Sequence, residues 1–387
     1  MKRLFLFTFL CTLFFTQITI AQKAYKWQQF VMGSDLSYVN QIEDAGGIYK
    51  VNNQPKDVYQ IFKQIGNNTV RVRLWRNPKW SAALNDAGKL YSDLYDVEKT
   101  IRRAKQAGMA VNLDIHYADD WCDPNQQPTP DSWKNLSVEI LKDSVYNYTL
   151  QVLKYLQSKK LTPEMIQVGN ENNFGMLWPI GKIDTSKSIV EQNKQWSNFG
   201  TLLNSGIKAV RDFSKNSSLK PQIILHVAQL QFANWWASNL TTTGNVNDFD
   251  ILGLSHYYKW STVNKMKDIG DTIRLLKNKF HKKVMIVETA FPFTNENADK
   301  YGNLFYSTTP IEGYAFTQKD QQRYMTDLIQ TVISNGGSGI MYWEPAWISS
   351  PMKDRWGKGS SWENNAYFDF EGNLLPNMNF MKHKYKF

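Results

Sequence analysis

The chain has 387 residues, a formal net charge of +10, fourteen Trp and nineteen Tyr but two Cys. One cysteine, Cys11, falls in a leader-like start, so Cys122 stands alone and a disulfide-stapled fold is excluded; the core must hold the fold together. The basic residues are scattered along helix-like segments (Lys99, Arg102 and Arg103; Lys277, Lys279, Lys282 and Lys283), which fits a solvated face and argues against a nucleic-acid groove.

The chain opens with Lys2 and Arg3, an apolar run from Leu4 to Phe15 and a small residue at Ala21. That is the pattern of a secretory signal, too short to span a bilayer comfortably, so residues 1–21 are expected to be removed and the protein exported to the periplasm, cell surface or medium. The residues before Cys11 lack the small-residue pattern of a lipid anchor. Loss of Lys2 and Arg3 leaves a charge of +8. No Pro/Ser-rich linker, low-complexity tract or short repeat divides the rest, which predicts one domain over 22–387, acting as a monomer.

In chain order, β-like runs begin at Phe30 (FVMGSDLSY), Thr69 (TVRVRLW), Ala110 (AVNLDIHY), Glu164 (EMIQVGNE), Gln222 (QIILHVA), Asp250 (DILGLSHYY), Lys283 (KVMIVETA) and Gly339 (GIMYWEPAW). Between them, helical periodicity predicts helices over 56–65, 97–106, 138–158, 192–213, 269–279 and 318–334. Strand and helix alternating about eight times predict a single-domain α/β (β/α)8 TIM barrel with its active site at the C-terminal strand ends. A doubly wound sheet is the competing fold, but no Gly-rich phosphate loop follows the first strand.

Within the strands, Val70, Val72 and Leu74 share one face and Arg71, Arg73 and Trp75 the other, while Val111, Leu113 and Ile115 oppose Asn112, Asp114 and His116. One face suits a covering helix; the other is too polar for a dry core unless it lines a site. His116, Glu171, Tyr257, Glu288 and Trp343 all fall at C-terminal strand ends, where barrel enzymes carry their chemistry, although Asp114 and His116 could equally form a satisfied internal pair. Glu171 closes the fourth predicted strand and Glu288 the seventh, on opposite sides of the ring. Two facing carboxylates are what glycosidic hydrolysis needs: one protonates the leaving oxygen and the other stabilises or attacks the oxocarbenium-like centre. Aromatic residues in polar loop text fit a surface that stacks on sugar rings.

The motifs RVRLWRNP at Arg71, DIHYADDWCDP at Asp114, QVGNENNFGMLWP at Gln167, ILGLSHYYKW at Ile251, ETAFPF at Glu288 and YWEPAW at Tyr342 span nearly the whole mature chain. Together they resemble the arabinogalactan endo-β-1,4-galactanases of glycoside hydrolase family 53. The resemblance implies a retaining, endo-acting hydrolase of β-1,4-galactan, with Glu171 as general acid/base and Glu288 as nucleophile, their carboxyl groups about 5 to 5.5 Å apart. It further implies that Asn170 bonds the sugar 2-hydroxyl, Tyr257 holds Glu288 and Arg73 keeps Glu288 ionised. His116 and Trp343 would complete the pocket, with Asp114 beside them, and Trp347, Trp178, Trp121 and Tyr258 would flank it. No cofactor is required. Some members hold calcium between the loops after strands seven and eight; here Asp299 and Asn303 keep oxygen ligands, but Asn297 and Tyr301 replace stronger ones. His256, Lys259 and Cys122 also depart from the common pattern. Two alternatives stay open: a cellulase or mannanase of the same clan, and a carbohydrate-binding barrel without catalysis.

Overall fold

The computed structural model describes residues 29–306, 308–376 and 378–387, so the expected export signal lies outside the described residues. Eight parallel strands close into a barrel: β1 (Val31–Asp35), β2 (Thr69–Leu74), β3 (Ala110–Ile115), β4 (Met165–Val168), β5 (Gln222–Ala228), β6 (Ile251–His256), β7 (Lys283–Thr289) and β8 (Gly339–Tyr342). Each strand pairs with its neighbours in sequence, and β1 pairs with β8 to seal the ring. Besides a short helix over Val39–Asp44, the helices are α1 (Val58–Ile65), α2 (Leu94–Gln106), α3 (Val138–Ser158), α4 (Ile189–Lys215), α5 (Leu230–Thr242), α6 (Met266–Phe280) and α7 (Gln318–Ser334).

Residue pattern accounts for both faces. The outward residues Val70, Val72, Leu74, Val111, Leu113 and Ile115 join the large core between strands and helices. Inside the ring, Val31, Met165, Ile224, Ile251, Met285, Val287 and Met341 form a separate apolar plug. Above it the interior turns polar, with Arg71, Asn112, Asp114, Gln167 and His226 all buried. A dry floor beneath a polar layer is the arrangement that raises a charged site to the C-terminal rim. Side-chain caps start most helices; Ser188 and Glu191 form a reciprocal capping box on α4, a contact type worth about 1 kcal/mol.

The structure departs from the sequence reading after β1, where the short helix Val39–Asp44 is not among the predicted ones, and again after β5 and β8. Helix α5 was not predicted, because its start, Gln229, offers no side-chain cap and its polar positions are Asn, Gln, Ser and Thr. After β8 no α-helix follows among the described residues; the single turn Phe380–Lys382 packs against α1 and α7.

Candidate active site

Glu171 lies three residues beyond the end of β4, in a turn where Gly169 has φ +83° and Glu171 itself φ +45°. A side chain at Gly169 would start 2.2 Å from the Asn172 amide oxygen, so this turn requires glycine. Holding a glutamate in the left-handed region costs about 1–3 kcal/mol, which the surrounding contacts must offset. Glu288 reaches the rim differently. The pairing of β6 with β7 slips between Leu254 and Ser255, so Val287 is an extra residue and both it and Glu288 turn inward. The ring order places β5 and β6 between β4 and β7, so the two strands are not diametrically opposed. The barrel is narrow enough that their side chains still meet: one oxygen of each glutamate and one ring nitrogen of His226 lie within 4.8 Å of one another.

Arg71 organises the site from below. Its guanidinium lies 2.8 Å from each of Asp35, Asp114 and Glu288, and it donates to the Asn170 side-chain oxygen at 2.9 Å. The Tyr257 hydroxyl donates to the other Glu288 oxygen at 2.9 Å. Burial raises the proton affinity of Glu288, while Arg71 and Tyr257 pull it back. Glu171 is raised well above the usual carboxylate range, by burial first and then by the Glu288 charge; Ser255 opposes this by donating to its Oε1 at 2.5 Å. Glu288 has a cation in contact and Glu171 has none among the described residues, so Glu288 gives up its proton first.

The expectation that Arg73 neutralises Glu288 is corrected by this geometry. Arg73 ion-pairs with Glu344 at 3.0 Å and lies between the rings of Tyr38, Trp75 and Trp121, with centroids 4.2, 4.8 and 4.4 Å away. Register explains the exchange: Arg71 sits level with Asp35 on β1 and Asn112 on β3, facing the central axis, whereas Arg73 lies beyond the last paired residue of β1. Asp114 and His116 are likewise supports. The Asp114 oxygens are taken by Arg71, by Gln167 at 2.6 Å and by His116 Nε2 at 3.0 Å. His116 Nδ1 accepts from the Cys122 backbone, which leaves neither ring nitrogen for a sugar.

A cleft of about 780 Å³ opens above the two glutamates, and Asn170, Tyr257, Trp121, Trp343 and Trp347 are among its walls. Asn170 donates one N–H to the Cys122 carbonyl at 2.8 Å, and its second N–H has no partner among the described residues. Trp178 and Tyr258 are not in the cleft wall. The Trp178 indole donates to the Phe174 carbonyl and its ring carries Lys182, while Tyr258 is bonded to Thr308. Sequence reasoning missed Tyr38, Phe174, Phe232, Trp260 and Trp356 as walls, and Ser255, His226 and Glu344 as buried polar partners. Two of those three had a legible signal, since His226 interrupts an apolar strand and Glu344 sits among aromatics in YWEPAW.

Asp299 and Asn303 lie in the loop after β7, held by hydrogen bonds within that loop and to Ser360 after β8. Asp299 accepts the backbone N–H groups of Tyr301 and Ser360 at 2.7 and 2.9 Å, and Asn303 donates to Asn297 at 2.8 Å. Of the expected calcium ligands only Asp299 is charged, and both its oxygens already have donors, so the fit to a calcium ion is poor. Among the described residues, the His, Cys, Asp and Glu group with metal-holding geometry is Glu171, His226 and Glu288. No helix of the described residues is long and apolar enough to cross a membrane.

Residues 31–381 match the family Glycosyl hydrolase family 53. Over 360 residues the chain is 41% identical to an arabinogalactan endo-β-1,4-galactanase of Cellvibrio japonicus, covering 92% of each chain. It is 29% identical to an endo-β-1,4-galactanase of Bacillus subtilis, with 91% of this chain and 85% of that one covered. The fold is similar to a GH53 catalytic domain of Ignisphaera aggregans, at a TM-score of 0.81 and 31% identity over 94% of this chain and 98% of that one.

Proposed function

We propose, for a chain that belongs to glycosyl hydrolase family 53, that it cuts internal β-1,4-galactosidic bonds of galactan and does so with retention of the anomeric configuration. The observation that carries this reading is the close approach of Glu171 and Glu288, within 4.8 Å at the mouth of one cleft, with unequal proton affinities. So small a gap leaves no room for a water molecule behind the sugar, which favours direct attack by a carboxylate.

In the first step Glu171 gives its proton to the glycosidic oxygen as the Glu288 carboxylate attacks the anomeric carbon, and the C–O bond to the departing chain breaks. The Asn170 N–H left free beside Glu171 suits the sugar 2-hydroxyl, a contact that strengthens as positive charge develops at the ring. In the second step the now ionised Glu171 takes a proton from water, whose oxygen displaces Glu288 and restores both groups. Trp343 and Trp347 supply flat faces for the galactose units.

Substrate identity is supported by the relatives' names, and export by the leader-like pattern of residues 1–21. No cofactor enters the mechanism, and calcium is no part of it. The test is to assay the purified enzyme on galactan, cellulose and mannan while following the first-formed anomer by proton NMR. Activity on galactan with the β-anomer appearing first is expected. Activity confined to cellulose or mannan would overturn the substrate, and the α-anomer first would overturn the mechanism.

A further inference from the structure

Behind Glu171 lies a polar chain that the two-carboxylate mechanism leaves unused. Ser255 sits on β6 directly after the slip in pairing and is fully buried. Its hydroxyl contacts two groups: Glu171 Oε1 at 2.5 Å and His226 Nε2 at 2.9 Å. A hydroxyl has one proton to give, so its direction depends on the tautomer of His226.

Two N–H groups aimed at Nδ1 favour one tautomer. The Glu171 N–H points at His226 Nδ1 at 3.3 Å, and an amide N–H can only donate. A second donor, the Gln167 side-chain N–H, lies 3.1 Å from Nδ1; the competing acceptor, the Asn170 oxygen 2.9 Å away, is already bonded by Arg71. His226 is completely buried, and burial together with the nearby Arg71 charge keeps it neutral. A neutral ring that accepts at Nδ1 carries its proton on Nε2, so it donates to Ser255. The serine proton then has one place to go, Glu171 Oε1. The second oxygen, Oε2, takes no hydrogen bond among the described residues and is open to the cleft that Glu171 lines.

We propose that Ser255, oriented by His226, is a positioning residue that keeps Glu171 Oε1 as a hydrogen-bond acceptor and so places the acid proton on Oε2, facing the glycosidic oxygen. The arrangement serves both halves of the reaction. In the acid form it prevents the proton from pointing back into the barrel. After transfer it supplies a donor to the new carboxylate, which offsets the burial that would otherwise hold Glu171 protonated and unable to act as base; the Glu288 charge is already gone, because that residue is then bonded to the sugar.

The proposal rests on Glu171 being the acid/base, and the experiment separates the two ideas. Ser255→Ala is compared with the parent enzyme for kcat/KM against pH, on galactan and on a dinitrophenyl β-galactobioside whose leaving group needs no proton. Loss of the donor raises the proton affinity of Glu171, so the alkaline limb on galactan moves up by about one pH unit. Turnover of galactan falls about tenfold or more, while the dinitrophenyl substrate loses less than about threefold in kcat/KM. Equal losses on both substrates with an unmoved limb would mean that the serine merely packs, and would overturn the proposal.

Should Ser255→Ala fail to fold, the pair His226→Gln and His226→Leu replaces it. Glutamine can place an N–H where Nε2 stood and keeps the limb in place, whereas leucine moves it; identical limbs in the two would overturn the proposal. Glu171→Gln is measured alongside. Full galactan turnover in that variant would sink the acid/base assignment itself, whereas its inactivity combined with an unmoved limb in Ser255→Ala sinks only the role given to the serine.

Discussion

Arg71→Met separates two arginines that sequence alternation places on the same strand face. Arg71 is the cation in contact with Glu288, at 2.8 Å, whereas Arg73 contacts Glu344. At an effective dielectric constant of about 20, one such pair is worth about 6 kcal/mol, equivalent to a ceiling of about 4 pH units on the proton affinity of Glu288. Asp35 and Asp114 share the same guanidinium, and water entering the vacated space recovers part of the loss. About half the ceiling, 2 pH units, is therefore the expected shift. Glu288 must be ionised to attack, so the acid limb of kcat/KM moves up, and at a pH on that limb activity falls about 100-fold. Arg73→Met leaves the limb in place and acts instead through the Tyr38 and Trp121 rings that Arg73 supports.

The assay is the pH dependence of galactan hydrolysis for both variants, with thermal melts alongside, because stripping a buried cation costs about 3–5 kcal/mol of stability. Arg71→Lys provides a folded variant if methionine is too disruptive; it keeps the charge, loses the fork and shifts the limb less. An acid limb that moves in Arg73→Met and stays fixed in both Arg71 variants would refute the reasoning.

Tyr257→Phe removes the hydroxyl that donates to Glu288, and a charged hydrogen bond of this kind corresponds to about a 10- to 100-fold fall in kcat; a wild-type kcat would exclude the contact from the mechanism. His256 is fully buried with Nδ1 unpartnered, and burial lowers it to about 4 from 6.5. Its contribution to stability is therefore complete above pH 6.5 and declines as pH falls towards 4, by about 3 kcal/mol. Urea melts of His256→Phe at pH 7 and pH 4.5 should show a correspondingly smaller acid loss than the parent, and equal losses would disprove this. Dialysis against a chelator should leave the melting temperature within about 1 °C, because nothing bound selectively to the native state is being removed. A larger drop that calcium reverses would show that the Asp299 loop does hold an ion.

Much of this molecule is determined by the sequence alone. Helices over 138–158 and 318–334 are predicted with the bounds that α3 and α7 have in the structure, because amphipathic periodicity and the Ser137 and Thr317 caps act locally. The in-out alternation of β2 and β3 already separates residues that pack on helices from residues that face a site. The two glutamates follow from the same logic, since a carboxylate after a buried apolar run must open onto something polar. What the sequence could not decide is height along the barrel axis and direction within a turn. Arg71 and Arg73 share one face, and only their register against β1 assigns one to Glu288 and the other to Glu344. Val287 and Glu288 should alternate, and only the slip against β6 turns both inward. His226 and Ser255 lie 55 and 84 residues from Glu171, and only the side-by-side pairing of β4, β5 and β6 brings them to it. Local periodicity carries a residue's face; pairing between strands distant in sequence carries its partner, and at this rim the partner decides the chemistry.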